Sequence, residues 1–198
     1  MATRFRFAAL AGVLASLASV AVAAPASSAV IIKDPNPPRY KLELEPHLNL
    51  QYFFVDAFGA HGLGPGMRFG IPIVSPGFIK KLNNSVAISF GPDLLWYRPT
   101  RRFCQGPLCS EGDSFWALYF PVTMQWNFWI TEKWSVFGEP GLLGRTPIGD
   151  CERNFGCKKD SFVWFAFYAG ARWHFGETTA LTLRLGYPNG LSAGGSFF

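Results

Sequence analysis

The stretch SFWALYFPVTMQWNFWI, residues 114–130, separates into two unlike faces when its positions are sorted by parity. The even positions from Trp116 to Phe128 are all apolar, whereas the odd positions include Thr123 and Asn127. Alternation with a period of two predicts a β-strand, because successive side chains of a strand point to opposite faces of the sheet. The alternation alone leaves open whether the apolar face packs on a protein core or faces lipid.

The same alternation recurs along the chain and no convincing helix separates its occurrences. The predicted strands lie near residues 42–56, 63–74, 84–97, 114–129, 134–145, 161–174, 179–187 and 191–198. Eight sequential strands predict an all-β, antiparallel, up-and-down β-barrel.

The polar face of these strands is small and sparsely charged. Only 16% of the residues are charged, against roughly 25% in a typical soluble domain, and 17% are aromatic. A soluble barrel would turn a face dense in Lys, Glu and Asp to water. We therefore expect a transmembrane barrel whose apolar face contacts lipid. The alternative is a secreted soluble barrel that binds an apolar ligand, with Trp116, Phe120 and Trp126 inside.

The spacing of tryptophans supports the lipid-facing interpretation. Trp116 and Trp126 lie on one face ten residues apart, which corresponds to roughly 24 Å along the axis of a barrel whose strands are tilted by about 45°. Outer-membrane barrels carry an apolar band about 25 Å tall with an aromatic girdle at each rim. Trp96 is expected to join the girdle of Trp116, and Trp134 that of Trp126.

The first residues have the composition of a secretory signal peptide. Arg4 and Arg6 precede an apolar stretch, and small residues follow it around Ala23. An uncleaved membrane anchor is the alternative. The expected organisation is a signal peptide over 1–23, a flexible Pro-rich lead-in over 24–39 and an outer-membrane barrel over 40–198. Loss of both arginines lowers the formal charge from +5 to +3, a balance too small to indicate a nucleic-acid partner.

Two connections contain all four cysteines, Cys104, Cys109, Cys151 and Cys157. An even number in an exported chain suggests disulfides, most simply Cys104 with Cys109 and Cys151 with Cys157, although four cysteines permit three pairings. A zinc site is disfavoured, because neither pair has C-x-x-C spacing and no His lies close. Both connections open at the same end of an up-and-down barrel, which we expect to be extracellular, with both termini at the periplasmic end.

Charged residues on the polar face should point into the lumen. They are Arg68, Asp93, Glu139, Arg172 and Arg184, with Arg145 near the rim. An eight-stranded barrel is just wide enough for its own side chains, so we expect these charges to pair and fill it. A narrow passive channel for small solutes is the alternative.

No catalytic arrangement emerges from the sequence, and we expect no enzyme, metal or cofactor; a lipid-modifying barrel enzyme is the disfavoured alternative. The histidines are scattered, and His61 alone falls near the outer rim. Arg98, Arg101 and Arg102 are more suggestive, because guanidinium groups suit the phosphates of lipopolysaccharide. A solvated cluster of loop charges is the alternative interpretation.

Together, the signal peptide, the eight girdled strands and the terminal Phe198 resemble the small eight-stranded outer-membrane β-barrel proteins of Gram-negative bacteria. The resemblance implies outer-membrane lipid as the surroundings and insertion by the barrel-assembly machinery, which recognises an aromatic C-terminus. A two-residue hairpin at Asn189 and Gly190 would place Phe198 outward, on the face of Leu181. Ser192, Gly194 and Ser196 depart from the pattern, since apolar residues are expected at those positions.

Overall fold

The computed structural model describes residues 29–51, 60–99, 102–105, 108–111, 114–148 and 161–198. Its strands are β1 (Glu43–Gln51), β2 (Ala60–Val74), β3 (Asn84–Phe90), β4 (Asp93–Pro99), β5 (Arg102–Gln105), β6 (Leu108–Glu111), β7 (Phe115–Trp129), β8 (Trp134–Ile148), β9 (Phe162–His174), β10 (Thr179–Tyr187) and β11 (Gly190–Phe197). The described ranges contain no helix long and apolar enough to cross a membrane.

Nine of the strands form one closed antiparallel sheet. Neighbouring strands pair in the order β1-β11-β10-β9-β8-β7-β3-β2-β4, and the additional β1–β2 and β7–β4 pairs close the barrel. Strands β3 and β4 are two halves of a single barrel strand, because β2 pairs with both in one continuous register, from Phe69 with Phe90 to Gly66 with Asp93. The barrel is thus the predicted eight-stranded one. The short β5–β6 hairpin, in a connection, was not predicted.

Gly91 and Pro92 cause the interruption between β3 and β4. Proline has no backbone N–H to donate to the ladder. Gly91 has a φ of 152°, and a Cβ there would lie 2.0 Å from the carbonyl oxygen of Met67. Only glycine therefore fits at this point of the wall.

Burial on β7 shows which face is outside. The odd positions are buried, and Thr123, Gln125 and Asn127 are at most 3% exposed. The even positions are open, with Trp116 42% and Val122 47% exposed. The apolar face therefore points away from the barrel interior, as predicted, and the alternative that places Trp116 and Phe120 inside is wrong.

The two ends of the barrel differ. The connections 75–83, 130–133 and 175–178 lie at one end, here called the lower end, together with Phe198 and residues 29–42. Two backbone hydrogen bonds join the described part of the lead-in to this end: Ile31 N donates to Ile130 O (3.0 Å) and Asn83 N to Ile32 O (2.7 Å). The cysteine-bearing connections leave β4 and β8 at the opposite, upper end.

The register of the last strand corrects one prediction. Gly186 pairs with Gly190, so a three-residue connection replaces the predicted two-residue hairpin, and Leu181 faces Gly195. A shift by an odd number of residues exchanges the faces of a strand. Phe197, not Phe198, therefore points outward and is 50% exposed. The left-handed φ of Gly190, 74°, accommodates this turn.

The same register explains the polar residues that did not fit the expected pattern. Ser192 and Ser196 point into the barrel and are buried, and the Ser196 hydroxyl lies 2.6 Å from that of Thr182. Phe198 lies at the lower mouth, with its ring centroid 4.9 Å from that of Tyr40 and 5.7 Å from that of His174. Burial raises the pKa of the Tyr40 phenol, which lies just before β1.

Candidate functional site: the charged lumen

Eight formally charged side chains of the described residues are buried inside the barrel, each at most 2% exposed. Four are acidic and four are basic: Glu43, Glu45, Asp93, Glu139, Arg68, Arg145, Arg172 and Arg184. Their formal charges cancel. Because an unpaired buried charge is very costly, this balance suggests that the interior is built around ion pairs, and the contacts follow that rule in three layers.

The central layer surrounds the guanidinium group of Arg184 on β10. It forms a bidentate pair with Glu45, with N–O distances of 2.5 and 3.0 Å, and a second with Glu139, with two distances of 3.1 Å. Gln125 Nε2 donates to Glu139 Oε1 at 2.6 Å. Arg184 thus connects β10 to β1 and β8 across the lumen, and it lies between two carboxylates that would otherwise repel each other.

The lower layer is built on Arg172 of β9. It donates to Glu43 Oε1 (2.5 Å) and Asn127 Oδ1 (2.7 Å). Its guanidinium carbon lies 4.5 Å from the ring centroid of Phe137, a cation–π distance. Below this layer, His174 Nε2 lies 2.9 Å from the Ser135 hydroxyl, and Trp129 and Phe198 flank the His174 ring.

The upper layer converges on the carboxylate of Asp93. Arg68 forms a bidentate pair with it, at 3.0 and 2.9 Å. His47 Nε2 lies 2.9 Å from Asp93 Oδ1, and Asn189 Nδ2 donates to Oδ2 at 2.8 Å. One carboxylate therefore joins β4, β1, β2 and the connection that precedes β11.

An aromatic layer follows toward the upper end. The hydroxyls of Tyr97 and Tyr119 lie 2.6 Å apart, and the Tyr97 hydroxyl also donates to the side chain of Gln51. Gln51 Nε2 donates to Pro188 O at 2.8 Å. The guanidinium of Arg145 lies 5.9 Å from the ring centroid of Tyr119. Through Gln51, these contacts tie the short connection between β10 and β11 to the barrel wall.

The structure places all five predicted lumen residues inside the barrel, but sequence reasoning missed their partners on β1. Glu43, Glu45 and His47 supply three of the groups described above. The signal was present in ELEPHLNLQ, residues 43–51, where every odd position is polar. The same parity test, applied to this strand, would have identified them.

Five of the seven tryptophans form two groups on the outer face. Trp96 and Trp116 are backbone partners toward the upper end. Trp134 pairs with Trp173 toward the lower end, where their rings stack with centroids 6.1 Å apart, and Trp126 lies at the same end. This is the predicted distribution, and Trp173 is an additional member.

The other predicted sites are described only in part. Arg98 is exposed and lies opposite His61 at the upper end of the outer face, whereas Arg101 falls outside the described residues and only the backbone of Arg102 is described. Cys104 and Cys109 are backbone partners in the β5–β6 hairpin. Cys151 and Cys157 lie outside the described residues. In the part of the chain that is described, no cluster of three His, Cys, Asp or Glu side chains could hold a metal ion.

Comparisons with known proteins give a likeness of fold. No family model and no curated protein matches the sequence. Among solved structures, the chain is similar to the outer membrane protein Ail of Yersinia pestis in a phospholipid nanodisc (14% identity, 80% of this chain and 99% of that chain, TM-score 0.45). It is also similar to Ail in complex with the heparin analogue sucrose octasulfate (16%, 80% and 100%, 0.43). The outer membrane protein OprG of Pseudomonas aeruginosa is a third match (8%, 82% and 91%, 0.48).

Proposed function

We propose that this chain is an integral outer-membrane β-barrel with a side-chain-filled lumen and a structural or surface-interaction role. The observation that carries the proposal is the inverted distribution of polarity. Large apolar side chains such as Leu48 (61% exposed) and Leu142 (56%) cover the outside, while eight charges are buried within. Soluble monomers rarely expose contiguous apolar patches larger than a few hundred Å².

A bilayer accounts for both halves of this distribution. A closed barrel satisfies every wall N–H and C=O within the sheet, which hydrocarbon requires. The outward apolar side chains then lie among acyl chains and not in water. The interior charges are separated from lipid by the wall, and Arg68, Arg172 and Arg184 form ion pairs with the acidic side chains among them.

The layered ion pairs support a closed lumen over a channel. Three guanidinium–carboxylate layers and the Tyr97–Tyr119 layer cross the lumen at successive heights. Opening a continuous water path would require several of these contacts to break together. We therefore expect the lumen to form neither a steady pore nor an accessible active site.

Planar bilayer recordings test the closed lumen. The refolded mature chain should give no sustained conductance at moderate voltage, because the ion-pair layers obstruct the lumen. A porin reconstituted in the same way provides the positive control for insertion. A stable, reproducible unit conductance would favour the narrow-channel alternative and remove the filled-lumen proposal.

The proposed orientation places the upper end outside the cell and both termini in the periplasm, after removal of residues 1–23. The barrel-assembly machinery is the proposed insertion partner. Because Phe197 is the outward aromatic residue of the last strand, Phe197 joins Phe198 as a candidate for the recognised C-terminal signal.

The proposed external partner is lipopolysaccharide. Arg98 lies exposed on the outer face next to the Trp96–Trp116 pair, at the height expected for lipid phosphates. Replacing Arg98, Arg101 and Arg102 together by Ser should reduce the lipopolysaccharide that co-purifies with the barrel. Unchanged retention would reject this contact.

Two disulfides are proposed to hold the upper connections. The backbone pairing of Cys104 with Cys109 favours a bridge within the β5–β6 hairpin, because directly opposed residues of antiparallel strands have the Cα separation that a disulfide needs. The remaining pair would then be Cys151 with Cys157. Mass measurement after alkylation without reductant should find none of the four cysteines labelled, and a labelled pair would exclude its bridge.

A further inference from the structure

The connection between β2 and β3, residues 75–83, is held in a defined shape, and we call it the basic turn. Asn84 organises it: its Nδ2 donates to the carbonyls of Ile79 and Leu82, both at 2.7 Å, and its backbone carbonyl accepts from Gly77 N at 2.7 Å. A Cβ on Gly77 would lie 2.0 Å from Asn84 Oδ1. These contacts fix the backbone of the turn and therefore the directions in which its side chains leave it.

The apolar residues of the basic turn extend the outer face of the barrel. Phe78 is 62% and Ile79 37% exposed. The Phe78 ring meets that of Trp126 edge-on, with centroids 6.1 Å apart. Trp126 is fixed in turn, since its indole N–H donates to Asn84 Oδ1 at 3.0 Å. The turn thus continues the lipid-facing surface to its lower rim.

Two cations follow these apolar residues directly. Lys80 and Lys81 are exposed, and neither forms an ion pair with any residue that the structure describes. An apolar pair beside a basic pair matches the boundary of a membrane, where acyl chains meet headgroup phosphates. Basic residues gain energy near an anionic surface, and the gain is screened by salt.

We propose that the basic turn is a binding site for anionic phospholipid in the leaflet at the lower end of the barrel. Phe78 and Ile79 lie among the acyl chains, and Lys80 and Lys81 bind the headgroup phosphate. This inference rests on the proposed membrane location, and it adds a lipid class and a leaflet. Continuity with the apolar outer face and the charge of the two lysines support it.

The test is a lipid titration of the full mature barrel in detergent micelles, followed by native mass spectrometry. Phosphatidylglycerol is the anionic probe and phosphatidylcholine the zwitterionic one. The variant K80Q/K81Q should bind phosphatidylglycerol roughly 5- to 30-fold more weakly than the unmodified chain, about fivefold for each lysine. Its affinity for phosphatidylcholine should not change.

The matched control is K158Q/K159Q, which removes the same charge from the connection between β8 and β9 at the opposite end. It should keep the affinity of the unmodified chain for phosphatidylglycerol. An equal loss in both variants would show an effect of net charge alone and overturn the proposal. So would an unchanged affinity in K80Q/K81Q, or a parallel loss of phosphatidylcholine binding.

Failure of this inference can be separated from failure of the proposed function. If the unboiled chain migrates as a compact band on SDS gels and inserts into vesicles, yet K80Q/K81Q binds phosphatidylglycerol normally, only the lipid site is rejected. If the chain stays soluble without detergent and does not insert, the membrane location and the lipid site are rejected together.

Discussion

Replacing Val122 by Arg should destabilise the lipid-folded barrel by about 2–4 kcal/mol, the cost of a cation on the lipid face near the bilayer midplane. Val122 lies at the middle of β7, where its neighbours on the outer face are Phe90 and Leu142. The side chain is 47% exposed, so the larger Arg has room and no cavity or clash contributes. The loss of stability would therefore show whether lipid or water surrounds the barrel at this height.

The matched control is Ile148→Arg on the same outer face. Ile148 pairs with Trp116 at the upper aromatic girdle, where the same substitution should cost only about 0–1 kcal/mol. Urea titration of the vesicle-folded chains, followed by gel mobility without boiling, measures both free energies of unfolding. If the outer face met water, both variants would stay within about 0.5 kcal/mol of the unmodified chain, which would contradict the account.

Replacing Arg184 by Leu, inside the lumen, should destabilise the lipid-folded barrel about as much as Val122→Arg on the outer face. Arg184 pairs with both Glu45 and Glu139, and its loss leaves two buried carboxylates without their shared cation. Removing one partner of a buried ion pair typically costs about 3–5 kcal/mol. The urea midpoint of the vesicle-folded chain should fall accordingly, and refolding yield should fall with it.

A triple variant separates charge from packing in this experiment. R184L/E45Q/E139Q removes the cation and both carboxylates and keeps similar volumes, so it should recover a substantial part of the stability lost by R184L. If R184L unfolds at the same urea concentration as the unmodified chain, the central ion pairs do not stabilise the barrel. If the triple variant is no better than R184L, the loss comes from side-chain packing and not from unpaired charge.

Much of this fold could be predicted because the same two-residue alternation of apolar and polar side chains recurs in most of its strands. The alternation in residues 114–130 assigns each side chain to a face, and the assignment holds along all of β7. Repeating the test on other strands predicted the strand number, the outward aromatic residues and the inward position of five charged residues. Parity is a reliable signal because a slip of one residue would move every apolar side chain to the lumen and every polar one to the outer face.

The last strand shows where parity is insufficient. Its alternation is weak, with Ser192, Gly194 and Gly195 in eight residues, so the turn alone had to set the register. The Asn-Gly pair favours a two-residue turn, but the chain uses three residues and places Gly190 in the paired strand. Ser196 and Phe198 then point inward. Ser196 contacts Thr182, and the Phe198 ring contacts those of Tyr40 and His174.

Pairing inside the lumen could not be predicted from the sequence for a different reason. Parity states that Arg184 and Glu139 point inward, but the heights at which they meet depend on the stagger of strands that are distant along the chain. Glu45 and Arg184 are separated by 139 residues. Their contact across the lumen follows from closure of the barrel between β1 and β11, which only the three-dimensional structure provides.

Quenching of tryptophan fluorescence by brominated acyl chains tests directly whether the apolar outer face contacts lipid. The mature chain is folded into vesicles of ordinary or brominated phosphatidylcholine and the two emission intensities are compared. Strong quenching is expected, because Trp96, Trp116 and Trp134 are each 39–47% exposed on the outer face. Equal emission in the two lipids, from a chain that stays soluble without detergent, would contradict it.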